Sequence, residues 1–188
     1  MSAMSAMCTT TLLLLSWILG AEAQAIPLPQ SCIRCHGAGQ SAVASLEGQH
    51  QEYLEKQLKD YRSRLRIHSK MNDITQGMSD PQIEFFAGYF SKLPPKKNDD
   101  LARLIPERIQ QGERIANAMN CAVCHGADYK GFGITPSIRG MRRSYIASQL
   151  KDYRDRRRTN ESGVMFSVVQ FLEDSDIDLL TEFLGSLP

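Results

Sequence analysis

The chain has 188 residues, with 22 Lys and Arg against 21 Asp and Glu and a formal net charge of +1. That balance argues against a nucleic-acid-binding protein, whose phosphate contacts call for a clear basic excess. Apolar residues make up 42%, enough for one large or two small cored domains.

Residues 1–23 read as an export signal. Thr9 to Gly20 is almost wholly apolar, and Ala21-Glu22-Ala23 supplies a small-x-small cleavage site before Gln24. The run is too short to cross a bilayer, which takes roughly 20 apolar residues. The first 20 residues hold no Lys or Arg, so the terminal amine alone supplies the usual positive charge. A mature chain outside the cytoplasm is the expectation.

Cys32-Ile33-Arg34-Cys35-His36 follows directly, and Cys121-Ala122-Val123-Cys124-His125 repeats the pattern. Cys-x-x-Cys-His is the attachment signature of c-type haem. The two thiols, about one helical turn apart, match the two porphyrin vinyls, and the adjoining histidine reaches iron from one side. Cys32, Cys35, Cys121 and Cys124 are therefore the covalent attachment residues of two haems, and His36 and His125 are axial ligands. Cys8, the fifth cysteine, leaves with the signal. Disulfides or zinc explain four cysteines, but not a histidine after both second cysteines.

The motifs belong to an internal duplication. Gln57-Leu58-Lys59-Asp60-Tyr61-Arg62 recurs letter for letter as Gln149-Leu150-Lys151-Asp152-Tyr153-Arg154. Gly48 matches Gly140, Tyr53 matches Tyr145, Arg66 matches Arg158, Met71 matches Met165, and Leu93-Pro94 matches Leu187-Pro188. Pro94 to Asp100 reads as the connection, giving units 24–95 and 96–188. Leu54, Leu58, Tyr61 and Leu65 form one helical stripe, which Ile146, Leu150 and Tyr153 repeat. Ser79-Asp80-Pro81 opens a helix with Ile83, Phe86, Ala87 and Phe90 inward, and the stretch from Asp174 to Leu184 is its copy. Pro106 opens a helix running to Met119. No alternating run supports a sheet, so the fold class is all-α.

Each iron needs a ligand on its far side. Met71 and Met165, aligned by the duplication and expected in loops between helices, are the candidates. A thioether raises the reduction potential above that of a second histidine and closes the coordination sphere, which suits reversible electron transfer. His68, Met78 and His50 compete with Met71. Met78 aligns with a core leucine, His50 reads as a solvated helix-face residue, and His68 is the serious rival. The arginine runs around Arg62–Arg66 and Arg154–Arg158 read either as solvated faces or as partners for haem propionates or a docking protein. No acid–base or nucleophilic constellation accompanies the haems, so no enzyme activity is expected.

These residues resemble the tandem diheme class I cytochromes c of the cytochrome c4 type. The matches are Cys-x-x-Cys-His-Gly ending at Gly37 and Gly126, the Gly-x-x-x-x-Tyr segments, Gln-Leu-x-x-Tyr-Arg, and a methionine followed by an acidic helix cap. The resemblance implies two helical domains, each wrapped around one haem, meeting about a pseudo-two-fold axis with propionates near the interface. It implies a periplasmic single-electron carrier with redox protein partners, among them a membrane terminal oxidase or a quinol-oxidising complex. The alternatives are a diheme subunit of a sulfide- or alcohol-oxidising dehydrogenase, or a diheme peroxidase. Two departures stand out. The first copy has no helix before its haem motif, and Ala44 stands where the second copy has Pro136, the family residue whose carbonyl holds the ligand histidine.

Overall fold

The computed structural model describes residues 30–36, 43–95, 104–159 and 162–188. The expected signal, Gly37 and residues 96–100 of the connection lie outside the described residues. Those described form nine helices and no strand, apart from an isolated bridge between Phe132 and Thr135.

Eight helices pair off across the duplication. The motif helices are α1 (Gln30–His36) and, in the second repeat, a helix labelled α6 below (Cys121–His125). The shared hexapeptide closes α2 (Gln51–Arg62), which buries Leu54 and Tyr61. It stops because Arg64 is left-handed, at φ 61°. That reversal ends the expected stripe early: Leu65 is 63% exposed, whereas Arg66 turns inward.

Next comes α3 (Ser69–Thr75), capped by His68, whose Nδ1 accepts from the Met71 N–H at 3.3 Å. Met71 therefore lies on a helix and not in a loop. Met165 likewise lies on the short helix Val164–Val169. Seven and six residues are too few for a 3.6-residue period to show in sequence.

The helix α4 (Asp80–Ser91) follows, with the Ser79 N–H held by Gln82 Oε1 at 2.9 Å. Arg62, the last residue of α2, donates to the Met78 carbonyl at 2.7 Å and to Asp80 at 2.6 Å, fixing how α4 meets α2.

The second repeat begins with α5 (Pro106–Ala118), which has no counterpart among the described residues of the first. Then come α6, α7 (Arg143–Arg154), α8 (the Met165 helix) and α9 (Asp174–Ser186). Arg154 repeats the Arg62 clamp, donating to the Leu172 carbonyl at 3.1 Å and to Asp174 at 2.8 Å. Gly48 and Gly140, both at positive φ, donate to the equivalent carbonyls of Phe90 and Leu184. Each ties the loop before α2 or α7 to the last helix of its repeat.

The helices α5 and α9 cross so closely that a Cβ on Gly112 would stand 2.1 Å from the Leu179 carbonyl oxygen. That crossing anchors a core of Ala116, Tyr129, Ile146, Leu172, Ile177, Leu180, Phe183 and Leu184. The first repeat, without such a helix, has a smaller cluster of Leu54, Ala87 and Phe90.

Candidate haem sites

Both attachment motifs are helical, which puts each cysteine pair on one side of a single turn. No disulfide joins any of the four cysteines. Cys32 packs on the Leu54–Phe90 cluster and Cys121 on the second core, and burial pushes both thiols above the usual cysteine value.

The two histidines are held identically. The His36 Nδ1–H donates to the Ala44 carbonyl and the His125 Nδ1–H to the Pro136 carbonyl, each at 2.9 Å. A carbonyl only accepts, so the proton sits on Nδ1 and the Nε2 lone pair is left for a metal. Burial lowers the proton affinity of both rings, which keeps them neutral. Ala44 thus does the work of the missing proline, because the interaction uses backbone alone.

A tight turn positions the Pro136 carbonyl. Gly131, at φ +69°, donates to the His125 carbonyl at 2.7 Å, and a Cβ there would stand 2.3 Å from the Thr135 oxygen. Only glycine fits.

One cleft of about 1970 Å³ runs across both repeats. Cys32, Cys35, His36 and Met71 line one part, and Cys124, His125 and Met165 the other. The structure therefore brings both proposed ligand sets to the same cavity. His68 and Met78 also line it, but His68 is exposed and its Nδ1 serves as the cap of α3. His50 does not lie on a solvated face: its Nε2–H donates across the repeats to the Lys130 carbonyl at 2.8 Å.

The arginine runs divide by role. Arg62 and Arg154 serve the helix clamps, while Arg66 and Arg158 are 8% and 6% exposed. Arg66 donates to Gln57 of its own repeat at 2.7 Å, then across to Gln149 at 2.7 Å and Tyr145 at 3.3 Å. Arg158 mirrors it, donating to Gln149 at 2.6 Å and across to Gln57 at 2.8 Å and Tyr53 at 3.1 Å. Each guanidinium stacks 4.6 Å from a tyrosine ring, Tyr61 or Tyr153. None of these hydrogen-bond partners is a carboxylate, although the two arginines draw the Tyr145 hydroxyl below its ordinary value, and both arginines line the cleft. Two buried cations without a carboxylate are costly, so the cavity calls for an anionic occupant. Haem, with an apolar ring and two carboxylates, fits both the thiols and the cations.

Comparison with known proteins agrees with this geometry. A cytochrome c family model matches residues 109–188. The thiosulfate dehydrogenase electron acceptor of Thiomonas intermedia is 29% identical over 95% of this chain and 88% of its own. Cytochrome c4 of Pseudomonas aeruginosa is 29% identical over 83% of each. Reduced cytochrome c4 from Pseudomonas stutzeri superposes with a TM-score of 0.77 at 26% identity, over 85% of this chain and 95% of that one.

The chain belongs to the diheme cytochromes c of the cytochrome c4 type. As a c4-type cytochrome it carries two covalently bound haem c groups and transfers electrons. The matched family region runs from within α5 to residue 188, in the repeat with the larger core. Two tandem all-helical units, each built around one haem, complete the agreement.

Proposed function

We propose that this c4-type cytochrome is a periplasmic carrier that moves single electrons between respiratory partners, a membrane terminal oxidase or quinol-oxidising complex among them. The observation that carries this reading is the pair of His Nδ1–carbonyl bonds facing one shared cleft, each with a methionine-bearing helix lining the same cavity. When bound, haem supplies one-electron chemistry at iron, with a potential set by its axial ligands and surroundings.

The chain's own residues then have distinct tasks. Cys32 and Cys35 attach one haem, and Cys121 and Cys124 the other. His36 and His125 present Nε2, with Ala44 and Pro136 fixing ring orientation and raising ligand basicity. Met71 and Met165 close the far sides, which excludes peroxide and small ligands and suits a carrier better than a peroxidase. Arg66 and Arg158 neutralise haem carboxylates at the junction, so both haem environments are coupled through one polar network. Units 24–95 and 96–188 are read as the two haem-bearing domains, behind an export signal at residues 1–23. Among the described residues no helix is long and apolar enough to cross a membrane.

A potentiometric titration followed optically tests the reading. Two one-electron steps, each form showing the thioether–iron charge-transfer band when oxidised, are expected. Rapid carbon monoxide binding to one reduced haem would instead favour the peroxidase.

One relative's description as a thiosulfate dehydrogenase electron acceptor supports a second reading, in which this protein takes electrons from a periplasmic sulfur-oxidising dehydrogenase. Stopped-flow reduction by such an enzyme, against reduction by a quinol-oxidising complex, separates the two.

A further inference from the structure

The duplication exposes a face that its own copy shows should be covered. In the second repeat, α5 lies across Leu179, Glu182 and Phe183 of α9: Gly112 sits against the Leu179 carbonyl and the Phe183 Cβ, and Arg108 bonds Glu182 at 2.7 Å. The offset that aligns Met71 with Met165 maps those positions onto Phe85, Gly88 and Tyr89 of α4. No helix covers them among the described residues. Phe85 is 41% and Tyr89 36% exposed, and a groove runs along the helix past Pro81, Gly88 and Leu93. A Cβ on Gly88 would meet only the Gln51 side chain, at 3.4 Å, so a second helix backbone can approach closely there.

The charges along this groove say what fits it. Glu84 and Lys92, both exposed, line it four residues either side of Gly88, one helical turn each way. A helix with that pattern is its own complement. When two copies lie antiparallel with Gly88 facing Gly88, each Glu84 meets the other's Lys92, and the aromatic pairs close over the crossing. We propose that α4 is a self-association surface, through which two copies of this cytochrome pair about a two-fold axis centred on Gly88. The face spans one helix of 12 residues, about 18 Å long, so the contact is small and the dimer reversible.

Sedimentation equilibrium of the haem-loaded protein at low ionic strength tests this. The expected result is a mass rising toward twice the monomer as concentration increases. Glu84→Lys sets lysine against lysine at both ends and should weaken association by about tenfold or more. The double exchange Glu84→Lys with Lys92→Glu should restore it. Unchanged haem absorbance shows that each variant is folded. A monomer at every concentration would overturn the proposal and leave the groove to the chain's own N-terminal residues or a different protein. So would a dimer indifferent to both charge changes.

Discussion

Arg66 and Arg158 are exchanged partners: each holds the glutamine of its own repeat and reaches across to the glutamine and tyrosine of the other. The junction is therefore one network, satisfied only when both repeats are in place. Arg158→Met strips the charge but keeps much of the stem. It leaves the Tyr53 hydroxyl and part of the Gln57 amide short of a partner, at a cost of about 1–3 kcal/mol per group left unsatisfied. Urea unfolding followed at the haem absorbance should show that loss. An Arg66–Gln149 double-mutant cycle should give a coupling of about 0.5–3 kcal/mol, and a value near zero would mean the cross-repeat bonds are incidental.

The methionine assignment is open to replacement. Met165→His should lower the potential of the second haem and remove its thioether band while the haem stays attached. Met71→His should do the same at the first haem. If instead His68→Ala removes the first site's far-side ligand and Met71→His changes nothing, His68 is that ligand.

Gly131→Ala tests the support behind His125. Its Cβ would collide with the Thr135 carbonyl, and the backbone there is left-handed. The turn must shift and carry the Pro136 carbonyl away from His125 Nδ1. A strain of about 1–3 kcal/mol is expected, with a raised potential at the second haem only, because a less basic imidazole favours ferrous iron. Thermal unfolding and the potentiometric titration read the two effects separately.

Acid should loosen both helix clamps. The Arg62 guanidinium holds Asp80 below the usual carboxylate value, and Lys151 with Arg154 does the same for Asp174. A carboxylate whose folded pKa is depressed contributes stability present above its unfolded pKa, near 3.9, and lost as pH falls through the folded value. A double Asp80→Asn, Asp174→Asn variant should thus lose part of the wild-type stability decline below about pH 4. Both groups are exposed, so the effect is small and should shrink further in high salt. Unfolding curves at pH 3 and pH 6 check it.

Much of this organisation is readable in the residues themselves. The repeated hexapeptide, the capped entries to α4 and α9, and the paired attachment motifs all rest on local chemistry, which survives in a linear text. The burial of Arg66 and Arg158 does not. A run of arginines ordinarily faces solvent, and which one turns inward depends on the left-handed residue two positions before it, Arg64 or Arg156. The available hint was spacing: Gln57 to Arg66 equals Gln149 to Arg158, nine residues each, with only Ser63/Asp155 and Leu65/Arg157 differing between them. The short methionine helices were hidden for want of length, and His50 for want of any local mark of a partner 80 residues away.

The unequal cores of the two repeats also set how far each unit leans on its cofactor. With few apolar side chains of its own to gather, the N-terminal unit must draw a larger share of its cohesion from the cofactor, whereas its sibling already has a helix pair to collapse on. A cofactor held at Cys32 and Cys35 would then contribute more to the stability of its own unit than one held at Cys121 and Cys124.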